Sequence, residues 1–255
     1  MIESQTLPQN LDLWQETLGW QPSANQLGQF QRLYQTILTA NQAVNLTRIT
    51  EPKAFWEKHL WDSLSGVAPW LKSSASAQPT AEAPLHILDI GSGGGFPGIP
   101  VAIACPSWQI TLLDSTQKKI RFVQHLAQQL GLENIAAIAD RAEDIGHQPH
   151  HRERYDLALI RAVGPAATCA EYALPVLKLG GQSVLYRGQW TAPEAAALEA
   201  AVDKLGGKIQ IVRPWQTPIS AGQRHCITRQ KISSTPPDFP RAVGIPAKFP
   251  LCASM

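Results

Sequence analysis

The sequence predicts an α/β fold: a doubly wound, mostly parallel sheet with helices on both faces. Three observations predict it. Short apolar runs alternate with helical stretches from residue 85 onward. A phrase crowded with glycine follows the first of those runs directly, and two late strand patterns follow each other with no helix between them. Alternation of this kind means βαβ units, and a closing strand pair without a helix adds an antiparallel strand to the parallel set. With 255 residues and 44% apolar content, the chain can bury the core of one large domain, or of one domain and a small appendage.

The first segment is helical. Leu27, Phe30, Leu33, Tyr34, Ile37, Leu38 and Asn41 recur at spacings of three and four, which draws one apolar stripe. Thr50-Glu51-Pro52 offers a cap, an acidic first turn and an early proline, so another helix starts near Glu51. Five tryptophans (Trp14, Trp20, Trp56, Trp61, Trp70) fall in this segment, and the expectation is that they pack a small cap onto the main domain. Residues 1–71 are thus read as an N-terminal helical cap. Residues 72–84, small and polar with two prolines, are read as a flexible linker.

The main domain is expected over residues 85–231. Strand patterns lie at 86–91, 110–114, 135–139, 155–160 and 182–187, with helical patterns near 98–105, 116–130, 165–178 and 193–205. Residues 208–214 and 224–231 read as the two late strands. Residues 232–255 form a basic, proline-containing tail.

Composition narrows the function classes. No run of eighteen apolar residues occurs, so no membrane span is expected, and the first fifteen residues lack the basic and apolar regions of a secretory signal. Cys105, Cys169, Cys226 and Cys252 lie far apart with no C-x-x-C pair, which suits a reducing cytoplasm and argues against zinc or a disulfide framework. The run His147-Gln-Pro-His150-His151 lacks Cys or acidic partners at ligand spacing and reads as a solvated loop; no metal is expected. Net charge is +2, but residues 208–255 carry seven Lys/Arg against one acid, Asp238. A basic end of this kind is compatible with phosphate contacts or with a plain solvated surface.

The strongest local signal is Leu88-Asp-Ile-Gly-Ser-Gly-Gly-Gly-Phe-Pro-Gly. A buried strand ends, the backbone must turn sharply and approach a ligand without Cβ atoms, and the next helix presents unpaired N–H groups. Two ligands compete for it. Gly93-x-Gly95-x-x-Gly98, with Asp114 about twenty residues on, fits a dinucleotide fingerprint and an NAD-dependent oxidoreductase. Counted from the strand, Asp89-x-Gly91-x-Gly93-x-Gly95 fits the first motif of S-adenosylmethionine (AdoMet)-dependent methyltransferases. In either reading the Asp114 carboxylate accepts both hydroxyls of a ribose. The lack of a substantial second domain for a nicotinamide substrate favours AdoMet.

Taken together, ILDIGSGGGFPGIPVAI, LLDSTQKKIRFV, RAEDI, LIRAV and LYRGQ, in that order, resemble the bacterial small-subunit ribosomal RNA guanine-N7 methyltransferases, also called glucose-inhibited division protein B. Asn45-Leu-Thr and His59-x-x-Asp62-Ser63 resemble that family's N-terminal motifs, and Arg224-His225 with the tail PRAVGIPAKFPL resembles the ending of some members. The resemblance implies a class I AdoMet-dependent methyltransferase sheet and, for this chain, a cofactor site. Gly91, Gly93 and Phe96 would wall the methionine; Asp114, Ser115 and Thr116 would meet the ribose; Ala142 and Glu143 would flank the adenine; Arg161 would close the site. Arg161 is left with two readings: a fork on the guanine O6, or a pair with a carboxylate such as Glu143 or the cofactor's own. Where many members carry lysine before a glycine, this chain has Arg187-Gly188.

The implied reaction is methyl transfer to guanine N7, which has a lone pair and no proton, so no residue is expected as general acid or base. RNA contacts are expected from Arg187, Arg224, Arg241 and Lys248, with Arg213, Arg229 and Lys231 adding to the basic end. The expected partner is small-subunit ribosomal RNA or the ribosomal subunit, met by a cytoplasmic monomer. The other reading from a different class is a noncatalytic RNA-binding factor that uses AdoMet structurally.

Overall fold

The computed structural model describes residues 6–44, 46–71 and 84–251. The linker expected over 72–84 falls, except for Pro84, outside the described residues, as do Asn45 and Cys252.

Seven strands form one sheet: β1 (His86–Ile90), β2 (Gln109–Asp114), β3 (Ile135–Ala139), β4 (Tyr155–Arg161), β5 (Leu177–Arg187), β6 (Gly207–Gln216) and β7 (Gln223–Lys231). Their order is β3-β2-β1-β4-β5-β7-β6. The first five run parallel, while β7 is antiparallel to both β5 and β6. This is the doubly wound, mostly parallel sheet with one antiparallel strand that the sequence predicts. Register sets Ile90 beside Leu113 and Ile160, and Arg161 beside Tyr186, so the carboxyl ends of β1, β2, β4 and β5 finish level. Ligands of open α/β sheets bind at that edge.

Alternation along the strands sorts the core into two layers. Ile87, Leu112, Leu159 and Val184 face one cluster; Leu88, Leu113, Ile160 and Leu185 face the other. The first cluster includes α6 (Gly98–Ala104), α7 (Gln117–Leu130) and buried residues of the N-terminal segment from Leu7 to Leu71; the second includes Ile145 of α8 (Ala142–Ile145), α9 (Ala166–Ala173) and α10 (Ala192–Lys204). The N-terminal segment therefore shares a core with the sheet.

That segment opens with α1 (Leu11–Leu18), ended by Gly19 in the left-handed region, and α2 (Ala24–Val44). Phe30, Leu33, Tyr34 and Ile37 of the predicted stripe are buried. The helix expected near Glu51 starts there, because the Glu51 carboxylate accepts the N–H groups of Lys53 and Ala54 at 3.0 and 2.7 Å. It runs as α3 (Pro52–Phe55), a π-helical stretch (Trp56–Trp61) and α4 (Asp62–Ser65), followed by a helical turn, α5, at 68–71. Trp14, Trp56 and Trp61 are fully buried, and Trp14 meets Trp56 with ring centroids 4.8 Å apart. The tryptophans pack, as expected. Glu57 then ties this segment to the β6–β7 loop by accepting from the Ile219 and Ser220 N–H groups at 2.6 and 2.8 Å.

Two expectations shift. The helix expected to reach residue 178 stops at Ala173, because Pro175 lacks an N–H and turns the chain into a 3-10 segment (Leu174–Val176). β5 accordingly begins at Leu177, five residues early, and its register with β4 slips between Tyr155 and Leu157. β6 carries Pro214 and tolerates it as the edge strand.

Part of the basic end is spent inside the molecule. Arg229 is 0% exposed and Lys231 1%, with the Lys231 ammonium 2.8 Å from Glu153. Those two cannot grip phosphate at the surface, because their strand faces turn them under α9 and α10. The tail is also docked: Arg152 donates to the carbonyls of Phe239 and Thr235 at 2.8 and 2.9 Å, and Phe239, Pro246 and Leu251 are buried.

Candidate cofactor and acceptor site

Asp89, near the end of β1, is completely buried, and its Oδ2 accepts the Gly98 N–H at 2.8 Å. Burial pushes its carboxyl up to about 7, against the pull of the Gly98 N–H. Asp89 thus pins the start of α6 under the glycine loop. Gly98 must lack a side chain, since a Cβ there would lie 2.2 Å from Leu112 Cδ2 and 2.7 Å from Asp89 Oδ2. Gly91 turns the loop at a φ of +75°, in the left-handed region that favours glycine.

Asp114 ends β2. Its Oδ1 accepts the Thr116 N–H at 2.8 Å, and its Oδ2 accepts the Gly93 N–H at 3.1 Å, with the Lys119 ammonium 3.4 Å away. The carboxylate thereby fixes both loops, and of its four acceptor positions one stays open, on Oδ1.

A cavity of about 340 Å³ opens at this edge, lined by Gly91, Asp114, Ser115, Thr116, Ala142 and Glu143 among others. Six of the nine residues expected around a cofactor therefore converge on one space. Gly93 stands just behind it, on Asp114. Phe96 and Arg161 lie on the side facing the N-terminal helices: the His59 ring stacks on Phe96 at 4.4 Å, and the Arg161 guanidinium sits 5.7 Å from the Phe96 ring centre. Sequence reasoning missed Lys119, Val163, Tyr172 and Ala247, which also line the cavity. Ala247 lies within the tail phrase PRAVGIPAKFPL, but only the fold brings it to this space.

Glu143 is almost fully buried and accepts from Arg141 at 2.8 Å, from Tyr172 at 3.1 Å and from the Gly244 N–H at 3.0 Å. Burial acts to raise its pKa, but Arg141 and the Gly244 N–H win and hold the carboxyl below its usual range. Arg161 does pair with a carboxylate, though not with Glu143. Its guanidinium donates to Asp62 Oδ2 at 2.7 Å and to the Lys58 carbonyl at 3.1 Å, while Arg224 donates to Asp62 Oδ1 at 3.2 Å.

Around this trio lies a second cavity of about 220 Å³, lined by Asp62, Arg161, Tyr186, Arg187 and Arg224 among others. It shares Ala162 with the first cavity. Ala162 holds a φ of +57°, a strained setting for a residue with a Cβ and one that clusters at ligand sites.

Of the residues expected to touch RNA, Arg187 and Arg224 line this second cavity. Lys248 is exposed, and the Arg241 fork is closed on the buried Glu171 at 2.9 and 2.7 Å. In the histidine run, His147 Nε2 lies 2.6 Å from the Pro240 carbonyl oxygen and His151 Nδ1 lies 2.7 Å from the Tyr155 hydroxyl. No helix among the described residues is long and apolar enough to cross a membrane.

The model of the family described as rRNA small subunit methyltransferase G matches residues 26–227. Ribosomal RNA small subunit methyltransferase G of Trichormus variabilis is 52% identical over 245 residues, covering 96% of this chain and 98% of that protein. The protein of the same name from Synechococcus elongatus is 55% identical over 238 residues, covering 93% and 95%.

This chain belongs to that family. Membership in the methyltransferase G family decides between the two ligands that the glycine spacing left competing, and nothing supports the oxidoreductase. The match runs from α2 into β7, so it takes in most of the N-terminal helices and of the sheet together, in keeping with their common core. It stops before the docked tail.

Proposed function

We propose that this methyltransferase G protein transfers a methyl group from S-adenosylmethionine to N7 of a guanine in small-subunit ribosomal RNA, acting as a cytoplasmic monomer. The observation that carries the reading is the junction of two cavities at Ala162, one lined by Asp114, Ala142 and Glu143 and the other bordered by guanidinium groups.

The residues fit the cofactor. Asp114 keeps one acceptor position open for a ribose hydroxyl, and a second is held only by the exposed Lys119 ammonium at 3.4 Å. Gly91 lets the backbone approach, and Ala142 and Glu143 close the far end. When bound, S-adenosylmethionine supplies a methyl group already activated on a sulfonium. The chain's own task is to bind, align and exclude water. Phe96 and Arg161 cover the inner side beneath the N-terminal helices, and holding two reactants in line can supply about 7–11 kcal/mol of the barrier. Because guanine N7 bears no proton, no side chain needs to take one. The base must be unpaired or extruded to enter. Of the four cations expected on RNA, Arg187, Arg224 and Lys248 remain to meet phosphates, while Arg241 acts through its grip on Glu171. So small a patch suits an enzyme that meets an assembled particle.

The test compares small-subunit RNA from a deletion strain and its parent. Borohydride followed by aniline cuts at N7-methylguanine, and primer extension locates the cut. One cut should vanish in the deletion strain and return with the intact gene but not with Asp114→Ala. An unchanged pattern would overturn the assignment.

A further inference from the structure

The second cavity holds a single carboxylate, Asp62, among three arginines that line the same space. Asp62 is 7% exposed, and its two oxygens have four acceptor positions in all. Arg161 takes one on Oδ2 and Arg224 one on Oδ1, each through a single bond. One position therefore remains on each oxygen, side by side. The carboxylate is also held on rigid parts, because it starts α4 while its partners sit at the end of β4 and on β7.

From this arrangement we propose that Asp62 reads the Watson–Crick edge of the target guanine, accepting N1–H on one oxygen and an N2–H on the other. The proposal rests on guanine N7 being the acceptor. An arginine fork on guanine takes O6 and N7 together, and so would consume the lone pair that must receive the methyl group. Specificity at an N7 methyltransferase therefore has to come from another edge. The Watson–Crick edge is opposite to N7, so a base held there turns N7 outward toward the cofactor cavity at Ala162. Guanine is also the one standard base with two adjacent donors on that edge. Adenine would set its N1 lone pair against a carboxylate oxygen, and a buried acceptor left facing another acceptor is strongly disfavoured. Arg161 and Arg224 fix the plane of the carboxylate and are positioning residues in this account.

The experiment uses the full-length protein with small-subunit RNA carrying guanine, inosine or 1-methylguanine at the methylated position. Inosine keeps N7, O6 and N1–H but lacks the 2-amino donor. Wild-type kcat/KM should fall about 10- to 100-fold with inosine, the loss expected for one hydrogen bond to a charged group, and further with 1-methylguanine. In Asp62→Asn the guanine-to-inosine ratio should collapse toward one, with AdoMet affinity measured alongside to show that the protein is folded. Equal wild-type rates on guanine and inosine would overturn the proposal. So would an Asp62→Asn enzyme that keeps the wild-type ratio, or one that binds AdoMet yet methylates neither RNA even in single turnover, since that would make Asp62 a brace only. Should Asp62→Asn fail to fold, the wild-type series decides. Absence of N7 methylation on the guanine RNA would instead strike at the proposed function itself.

Discussion

The Gly244 N–H donates to Glu143 Oε1 at 3.0 Å, joining the tail to the end of the cofactor cavity across 101 positions of sequence. The tail is a wall of that cavity, since Ala247 lines it and the Pro246 carbonyl accepts from Thr168 at 2.8 Å.

What fastens this wall is Arg241, whose guanidinium meets the fully buried Glu171 through both oxygens. Arg241→Ala leaves that carboxylate buried without its partner. The cost should be about 3 kcal/mol, the low end for a broken buried pair because Arg241 keeps 27% of its side chain in solvent. Urea unfolding should show it, and AdoMet affinity should weaken in parallel. Arg241→Lys should not restore either, since an ammonium cannot fork. Unchanged unfolding midpoints would refute the role.

Asp114→Ala removes the acceptor that joins Thr116 and Gly93, together with the position left open for a ribose hydroxyl. Affinity for AdoMet should drop about 10- to 100-fold, or ~1.5–3 kcal/mol, by isothermal titration. A dissociation constant within twofold of wild type would remove Asp114 from the cofactor site.

His59 makes stability depend on pH. Burial first, then the charges of Arg161 and Lys58, hold its imidazole down to about 3, against 6.5 in an unfolded chain. Between those values the unfolded chain binds a proton that the folded chain refuses. Stability from this residue is therefore full above about 6.5 and is lost as pH falls from there toward 3. His59→Gln should flatten that part of the profile. Urea midpoints for the two proteins that fall in parallel between pH 8 and pH 5 would contradict it.

Arg229 carries a cost that nothing in the described residues offsets. Its three guanidinium nitrogens lack hydrogen-bond partners among the described residues, and burial pulls it down to about 10. Arg229→Met should raise stability by about 1–4 kcal/mol, as replacing buried charge with apolar volume can do. A fall in the urea midpoint would show that the guanidinium has a use.

Much of this was legible in the sequence because it is periodic or local. Alternation fixed the strands, and the glycine phrase with Asp114 located the cofactor edge, since close backbone approach and a carboxylate at a strand end leave a local signature. Distant pairings were not legible. His59-x-x-Asp62 stood out as a motif, but its meaning depends on Arg161 and Arg224, 99 and 162 positions away. Charge counting misled for a related reason: seven basic residues near the end implied a surface, whereas strand alternation turns Arg229 and Lys231 inward and Glu171 captures Arg241.

The π-helical stretch Trp56–Trp61 works as a phase adjuster. Each residue of an α-helix advances about 100° around the axis, so one extra residue in a wide turn sets the two flanking helices out of step by that angle. The leading part can thus bury Phe55 and Trp56 among the aromatic rings while the trailing part brings Asp62 under two guanidinium groups. A regular α-helix through the same residues would carry the trailing part about 100° further around the axis, and would swing the carboxylate away from the cavity it serves.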